Sequence, residues 1–270
     1  MPRQTKSIPA ELPQSEVIDY SDLFQKCRNS EIDLLVILGP TASGKTSLAV
    51  GLASQMGSCE IISADSRQVY RGMDIGTGKD LGEYGEIPYH LIDIVDPGQQ
   101  YNVFEFKRDF TAALADIRSR GRFPILCGGT GLYINAVTAG YDFKTSKPLS
   151  IEGSAGTLDN PVEKPFFIGT LVSREVRNAK IDARLDARLQ EGMIDEIRGL
   201  LDAGVPASVL IGYGLEYKFV TQYILGELSF PEMRERLAIA IHQFAKRQMT
   251  WFRGMERSGV CIHWVEPDQG

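Results

Sequence analysis

Residues 33–46 decide the fold and read Asp33-Leu34-Leu35-Val36-Ile37-Leu38-Gly39-Pro40-Thr41-Ala42-Ser43-Gly44-Lys45-Thr46. Their short apolar run is typical of a buried strand, which Gly39 and Pro40 end. Residues 47–56 then carry apolar side chains at helical spacing. The stretch 39–46 matches G-x-x-x-x-G-K-[ST], and its place between a strand and a helix is the context that a phosphate-binding loop (P-loop) requires.

Each part of this loop has a chemical role in holding phosphate. The glycines let backbone N–H groups turn toward phosphate oxygens, and the helix N-terminus adds partial positive charge. Lys45 supplies a full charge and Thr46 a hydroxyl for Mg²⁺. The alternative, a glycine-rich turn without a ligand, is disfavoured by the flanking strand and helix. The predicted phosphate-binding residues are Gly39, Pro40, Thr41, Ala42, Ser43, Gly44, Lys45 and Thr46.

Outward from this loop, apolar runs alternate with amphipathic segments. Further strands are predicted at 60–64, 90–95, 123–127, 166–172 and 260–265. Helices are predicted at 20–27, 103–120, 174–201 with an interruption at Gly192, 215–225 and 230–253. This alternation indicates an α/β fold with a P-loop NTPase-like core, in which a mostly parallel sheet has helices on both faces. The C-terminal region is predicted to be helical.

The length of 270 residues suffices for one or two domains with a full core. We expect residues 1–30 to be an N-terminal extension and residues 31–266 to form one core. Within that core, residues 142–165 are rich in Ser, Gly, Pro and Thr, which predicts a loop or linker.

Composition excludes several classes of protein. Hydrophobic residues at 43% and charged residues at 24% exclude a disordered or fibrous chain. No apolar run is long enough to span a membrane, and the N-terminus has no secretory pattern. Four cysteines without paired spacing suit a reducing compartment, so we expect a cytoplasmic location. The net charge of −6 argues mildly against a protein coated in nucleic acid.

A kinase or NTPase would place a Mg²⁺-binding Asp at the end of an apolar strand. The strand at 123–127 is instead followed by Gly128-Gly129-Thr130-Gly131, a second glycine-rich strand end. Asp93 and Asp96 lie near a different strand and are weaker candidates. The sequence is therefore atypical for a protein that hydrolyses a γ-phosphate.

Several further motifs follow the P-loop in a fixed order. They are Asp65-Ser66-Arg67-Gln68-Val69-Tyr70, Ile75-Gly76-Thr77, His90-Leu91-Ile92-Asp93, Gly128-Gly129-Thr130-Gly131-Leu132-Tyr133 and Gln243-Phe244-Ala245-Lys246-Arg247-Gln248-Met249-Thr250-Trp251-Phe252-Arg253. Together with the P-loop they resemble the tRNA dimethylallyltransferase (isopentenyltransferase) family over residues 34–142 and 166–266. The resemblance implies transfer of a dimethylallyl group from dimethylallyl pyrophosphate to N6 of an adenosine in tRNA, next to the anticodon. The P-loop would then hold the pyrophosphate, with Mg²⁺ on Thr46.

The resemblance also implies roles for single residues. Asp65 would accept the proton of the adenine amine, whereas the residues alone equally allow a helix N-cap or a group near Mg²⁺. Thr130 would lie beside the reacting centre. Arg184 takes the place of a family arginine that contacts pyrophosphate, although without the resemblance it reads as part of a solvated charged helix face. The implied acceptor-binding residues are Asp65, Ser66, Arg67 and Gln68.

The sequence departs from the family where full-length members carry a helical insertion that grips the tRNA. Residues 142–165 contain no basic helix, which weakens the prediction of tRNA binding more than that of prenyl transfer. Two alternatives stay open: an adenylate dimethylallyltransferase acting on free adenine nucleotides, and a non-catalytic P-loop binding module. Near the C-terminus we expect Trp251 and Phe252 to face the core rather than to stack on bases. His90 and His263 are expected to be satisfied strand residues.

Overall fold

The computed structural model describes residues 13–138, 141–142, 147–148 and 161–267. Its strands are β1 (Leu34–Leu38), β2 (Cys59–Ser63), β3 (Tyr89–His90), β4 (Phe123–Gly128), β5 (Tyr141–Asp142), β6 (Lys147–Pro148), β7 (Pro165–Thr170) and β8 (Ile262–Val265). Six of them form one sheet in the order β3-β2-β4-β1-β7-β8, with every neighbouring pair parallel. The short strands β5 and β6 pair separately and are antiparallel.

The helices of the described residues are α1 (Tyr20–Arg28), α2 (Lys45–Met56), α3 (Val103–Ser119), α4 (Gly131–Thr138), α5 (Arg174–Glu191), α6 (Met193–Asp202), α7 (Ala207–Tyr213), α8 (Leu215–Ile224) and α9 (Phe230–Arg257). A 3₁₀ helix covers Leu81–Tyr84. Two helices begin at capping boxes, in which a side chain caps the helix and the Glu three residues later reaches back. These pairs are Asn102 with Glu105 at α3 and Ser229 with Glu232 at α9. No helix in the described ranges is both long and apolar enough to cross a membrane.

The two faces of β1 belong to two different cores, because successive side chains of a strand point to opposite faces. Leu34, Val36 and Leu38 pack with α3, α4 and the C-terminal part of α9. Leu35 and Ile37 pack with α1 and α2. Helices therefore cover both faces of a parallel sheet, as predicted.

A third core, away from the sheet, is built by α5 to α9. Its buried side chains include Leu185, Met193 and Tyr217, and residues 69–73 of the loop after β2 pack into it. Helix α9 contributes Leu237 to this core and, further along the helix, contributes to the sheet core described above. The predicted helical C-terminal region is confirmed.

The order of the strands determines where a ligand can bind. β1 lies between β4 and β7, and Leu38 is in register with both Gly128 and Gly169. The P-loop after β1 and the glycine-rich turn after β4 therefore leave the same edge of the sheet side by side. β2 is the next strand beyond β4, with Ser63 opposite Cys127. In open parallel sheets, ligands bind at this carboxyl edge.

Two local features differ from the predictions. The strand predicted at 90–95 ends at His90, because Leu91 and Asp93 adopt positive φ of 62° and 56°. Helices α4 and α7 were not predicted from periodicity. The interruption predicted at Gly192 is confirmed, because this residue, at φ 106°, divides the segment into α5 and α6.

Two predictions of domain organisation fall partly outside the described residues. Most of the predicted loop at 142–165 does so, and so do residues 1–12 of the predicted extension. Within that extension α1 forms and packs Leu23, Phe24 and Cys27 into the core beside α2.

Candidate functional site

The P-loop is held by its own backbone and by β7. Oγ of Ser43 donates to the carbonyl of Pro40 at 2.7 Å and lies 2.5 Å from Oγ1 of Thr170. A Cβ at Gly39 would overlap that same Thr170 hydroxyl, which explains the glycine at this position. Gly44, at φ 81°, leads into α2. The loop thus points the N-terminus of α2 into the space above the strand ends.

Above the carboxyl ends of β1, β2 and β4 lies a cleft that is open to solvent. It brings together seven of the predicted site residues: Thr41, Lys45, Thr46, Asp65, Arg67, Gln68 and Arg184. Burial lowers the pKa of Lys45, and the negative charge of Asp65 opposes that effect. Nζ of Lys45 donates to the carbonyl of Pro40 at 3.3 Å. The cleft therefore contains the groups typical of a P-loop, which are a lysine and a hydroxyl beside backbone N–H donors. A carboxylate lies in the same cleft.

Asp65 caps the turn that follows β2. Its Oδ1 accepts the backbone N–H groups of Arg67 at 2.9 Å and Gln68 at 3.4 Å. The sequence allowed a helix N-cap at this position, but no helix follows Asp65, and its carboxylate caps a turn instead. The second carboxylate oxygen, Oδ2, takes no part in these two bonds, so capping and proton acceptance are compatible on one side chain.

Thr130 is tied to the same turn from the other glycine-rich strand end. Its Oγ1 accepts the backbone N–H of Ser66 at 3.1 Å. The turns after β2 and β4 are therefore joined directly, although Thr130 itself is not among the residues that line the cleft.

Arg67 and Gln68 are both engaged within the protein. Arg67 forms a buried ion pair with Glu216 of α8 at 2.5 Å, and its guanidinium lies 5.7 Å from the centre of the Phe244 ring. Burial alone would lower the pKa of Arg67, but Glu216 raises it above its ordinary value. Gln68 donates to the carbonyl of Gly78 at 3.1 Å. These two residues thus connect the turn after β2 to α8 and to the loop at Gly78.

Arg184 of α5 reaches across to the turn at residues 78–80. It pairs with Asp80 and donates to the carbonyl of Gly78 at 3.4 Å. Its side chain is 37% exposed and lines the cleft, so the alternative of a purely solvated helix face does not hold. Arg188, one helical turn further on, lines the cleft as well. Arg188 was not predicted as a site residue, and its i, i+4 spacing from Arg184 was the available signal.

The loop between β2 and β3 is fixed by a buried lysine. Nζ of Lys79 donates to the carbonyl of Tyr70 and to Asp74, each at 2.6 Å, and also contacts Asp93. Asp96 pairs with Arg71. The two weaker candidates for Mg²⁺ binding are therefore engaged in ion pairs, and neither lines the cleft.

Gln248 of α9 is a cleft residue that sequence reasoning missed. Its Oε1 accepts the backbone N–H of Thr41 at 2.8 Å, and its Nε2 donates to the carbonyl of Gly129 at 3.0 Å. It lies within the Gln243–Arg253 motif, which was the signal for it. One amide thus spans both glycine-rich strand ends.

Trp251 and Phe252 lie on different faces of α9. Phe252 is fully buried, as expected, but Trp251 is 40% exposed, so the expectation of a core position was wrong for it. Consecutive residues of a helix are rotated by about 100°, so only one of the two can point into the core. Trp251 lies against Gly131, where a Cβ would overlap its indole.

The described residues contain no group of three or more His, Cys, Asp and Glu side chains that could bind a metal ion by themselves. Mg²⁺ usually takes one or two protein oxygens and completes its shell with water and substrate phosphates. The Thr46 hydroxyl and the Asp65 carboxylate in the cleft fit that pattern. His90 and His263 have other partners, Glu60 at 2.6 Å and Glu16 at 3.0 Å.

Comparison with protein families gives two matches. The model described as "IPP transferase" matches residues 68–161 and 144–255, and the one described as "Isopentenyl transferase" matches residues 32–84. The first match comes in two segments that overlap at residues 144–161. The matched ranges include the P-loop, the Asp65 turn, α5 to α8 and α9 as far as residue 255.

Individual proteins agree with these matches. The chain is 49% identical to tRNA dimethylallyltransferase 1 of Parabacteroides distasonis over 87% of this chain and 92% of that protein. It is 48% identical to tRNA dimethylallyltransferase 1 of Geotalea uraniireducens over 87% and 93%. The crystal structure of the tRNA isopentenylpyrophosphate transferase of Bacillus halodurans superposes with a TM-score of 0.74 at 32% identity, covering 87% and 89%.

The alignment with the Parabacteroides protein contains gaps on the side of this chain. It is 284 positions long, which exceeds the 270 residues of the chain, although it uses only 87% of them. That relative therefore carries residues that have no counterpart here.

Proposed function

The chain belongs to the IPP transferase family, and from its site we propose that it transfers a dimethylallyl group from dimethylallyl pyrophosphate to N6 of an adenosine in tRNA, next to the anticodon. The observation that carries this proposal is the cleft that brings Lys45 and Thr46 together with Arg184 and with Asp65, which follows β2 on the far side of β4. Lys45, Thr46 and Arg184 are suited to bind the departing pyrophosphate. The Asp65 carboxylate is suited to accept a proton from the acceptor amine.

Pyrophosphate gains negative charge as its bond to the prenyl carbon breaks. Lys45, the N-terminus of α2 and Arg184 bind that charge in a partly buried site, where each is worth more than in water. Thr46 would hold Mg²⁺, and that ion would supply further neutralisation of the pyrophosphate oxygens.

The acceptor amine needs a base as its new bond forms. The C–N bond forms between N6 and the dimethylallyl carbon, the C–O bond to pyrophosphate breaks, and the proton of N6 passes to the free Oδ2 of Asp65. Ser66, Arg67 and Gln68 would orient the adenine, because the hydrogen bonds of this turn fix their position next to that carboxylate.

The acceptor has two candidates in the same reaction. Exposed Trp251, with Lys246, Arg247 and Arg253 on the same helix, offers a ring for base stacking and cations for phosphates, which favours tRNA. We infer that the residues the relatives carry in addition fall near 144–161, where the family match is split. Their loss removes tRNA contacts, and that favours a free adenine nucleotide as the second candidate.

The test supplies labelled dimethylallyl pyrophosphate and Mg²⁺ with either unmodified tRNA or AMP. We expect label on tRNA, and the variant Lys45→Met to lose transfer to both acceptors. Label on AMP alone would show that the acceptor is a free adenine nucleotide and not tRNA. Pyrophosphate binding without transfer to either acceptor would instead favour a non-catalytic P-loop module. A cytoplasmic location stays a prediction.

A further inference from the structure

The guanidinium of Arg188 lies in the cleft, and none of the described carboxylates forms a close ion pair with it. Its side chain is 12% exposed, and its buried Nη2 donates no hydrogen bond to any described residue. The closest carboxylate oxygen, Oδ2 of Asp80, is 3.7 Å away and is already in contact with Arg184. Burial, and after it the charge of Arg184, lowers the pKa of Arg188 to about 10.

The surroundings of Arg188 carry more positive than negative charge. Among the described residues that line the cleft, the cations are Lys45, Arg67, Arg184 and Arg188, and the carboxylates are Asp65 and Glu216. Glu216 is taken by Arg67 at 2.5 Å. A buried guanidinium without an anion is costly, so such an excess is typical of a site whose missing partner is an anionic ligand.

We propose that Arg188 is a second phosphate-binding arginine of the cleft, which together with Arg184 grips the pyrophosphate of the prenyl donor from the α5 side. The two residues are one helical turn apart, so their guanidinium groups lie next to each other at the turn of Gly78. This assignment rests on the proposed function, because it takes pyrophosphate as the ligand of the P-loop. The other source of the same chemistry is the phosphate group of the acceptor nucleotide.

The competing explanation is structural. Arg188 packs under Gly78, where a Cβ would overlap its Nη2, so the side chain could serve to support the turn at 78–80. The two explanations differ in what happens without ligand. Removing a supporting side chain lowers the stability of the free protein, whereas removing an unpartnered buried cation leaves it unchanged or raises it.

The experiment measures inorganic pyrophosphate binding by calorimetry and the melting temperature of the ligand-free protein for wild type and Arg188→Gln. We expect the dissociation constant to rise between about 10-fold and 100-fold, the range for hydrogen bonds to charged groups. The melting temperature without ligand is expected to stay the same or to rise. Arg177→Gln is the matched control, because Arg177 is also buried on α5 with an unpartnered Nε but does not line the cleft. It is expected to bind pyrophosphate as wild type does.

A second variant, Asp80→Asn, separates direct binding from support of the turn. It loosens the turn but keeps both guanidinium groups and frees them from a competing carboxylate, so pyrophosphate affinity is expected to hold or to increase. An equal loss of affinity in Asp80→Asn and Arg188→Gln would overturn the proposal, and so would wild-type affinity for all phosphate ligands in Arg188→Gln.

A parallel titration with AMP and adenosine shows whether Arg188 binds the pyrophosphate of the donor or the phosphate of the acceptor. If Arg188→Gln weakens AMP but neither adenosine nor pyrophosphate, the guanidinium serves the acceptor phosphate. If the wild-type protein binds pyrophosphate but transfers no prenyl group, the proposed function is wrong, while the assignment of Arg188 as a phosphate-binding residue stands. A wild-type protein that does not bind pyrophosphate removes both.

Discussion

Gln248 accepts a hydrogen bond from the backbone N–H of Thr41, so a side chain of the last long helix fixes the conformation of the P-loop. The same amide donates to the carbonyl of Gly129. Because Gln248 is 7% exposed, its removal leaves two backbone groups in a site with little water.

We therefore expect Gln248→Ala to lose about 1–3 kcal/mol of unfolding free energy and to bind pyrophosphate more weakly. Urea unfolding and calorimetry measure the two effects. Gln243→Ala is the control, because Gln243 is exposed on the same helix and is expected to change neither. A Gln248→Ala protein with wild-type pyrophosphate affinity would show that the loop holds its shape without α9.

Asp65→Asn separates the two roles of Asp65. An asparagine keeps an oxygen for the N–H groups of Arg67 and Gln68 but cannot take a proton from the amine. Turnover is expected to fall between about 100-fold and 10,000-fold, while pyrophosphate affinity stays near wild type. Asp65→Ala is expected to lose the cap as well and to be less stable than Asp65→Asn. Single-turnover rates and melting curves measure both, and near-normal turnover of Asp65→Asn would exclude this carboxylate as the base.

Glu196 of α6 anchors the loop that leads into the cleft. It accepts the backbone N–H groups of Asp74, Ile75 and Gly76 and the hydroxyl of Tyr217. Glu196→Gln loses the charge that strengthens these bonds, so we expect about 1.5–3 kcal/mol less unfolding free energy.

Because that loop supplies the Gly78 carbonyl to Gln68, the Michaelis constant for the acceptor is expected to rise more than that for dimethylallyl pyrophosphate. The control is Asp195→Asn, since the Asp195 side chain is 80% exposed and pairs only with Arg198 among the contacts of the described residues. Equal changes in both Michaelis constants would argue against a role on the acceptor side.

Glu60 is a buried carboxylate in the middle of β2, and its chemistry predicts how stability depends on pH. Hydrogen bonds from Arg120, and after them one from His90, lower the pKa of Glu60 from 4.5 to about 2. A carboxylate whose pKa is lower in the folded state stabilises the fold above its unfolded pKa. That contribution is expected to be complete above pH 4.5 and to be lost as the pH falls toward about 2.

Urea unfolding across that pH range tests this expectation. Glu60→Gln is expected to cost about 2 kcal/mol at neutral pH and to flatten the acid limb of the stability curve. Glu86→Gln, at an exposed position, is expected to keep the wild-type profile. An unchanged acid limb in Glu60→Gln would assign the pH dependence to other groups.

The elements around the P-loop were predictable because each has a strong local signal. The run Leu34–Leu38 is buried on both faces and ends at a glycine, and Lys45–Met56 has helical spacing. The third strand was overpredicted for a physical reason. Four of residues 91–95 are apolar because they pack into the cores, yet positive φ at Leu91 and Asp93 takes the segment out of the sheet.

The cleft residues that escaped prediction act through contacts between distant parts of the chain. Three such residues lie on helices whose local sequence patterns indicate only amphipathicity: Gln248, Glu216 and Glu196. Each bonds to a partner more than a hundred residues away along the chain. Residues 39–46 and Asp65, in contrast, carry their chemistry within short motifs. Sequence reasoning therefore found residues that line the cleft and missed most of the residues that hold them in place.

Helix α9 runs for 28 residues from the third core to the sheet. Met233 and Leu237 belong to one core, and Phe252 and Met255 to the other. Neither core can unfold without also exposing part of the other, because both pack against α9. The stabilities of the two cores are therefore thermodynamically coupled through this helix. In a scanning calorimeter we expect a single heat-absorption peak, although the hydrophobic clusters themselves are separate.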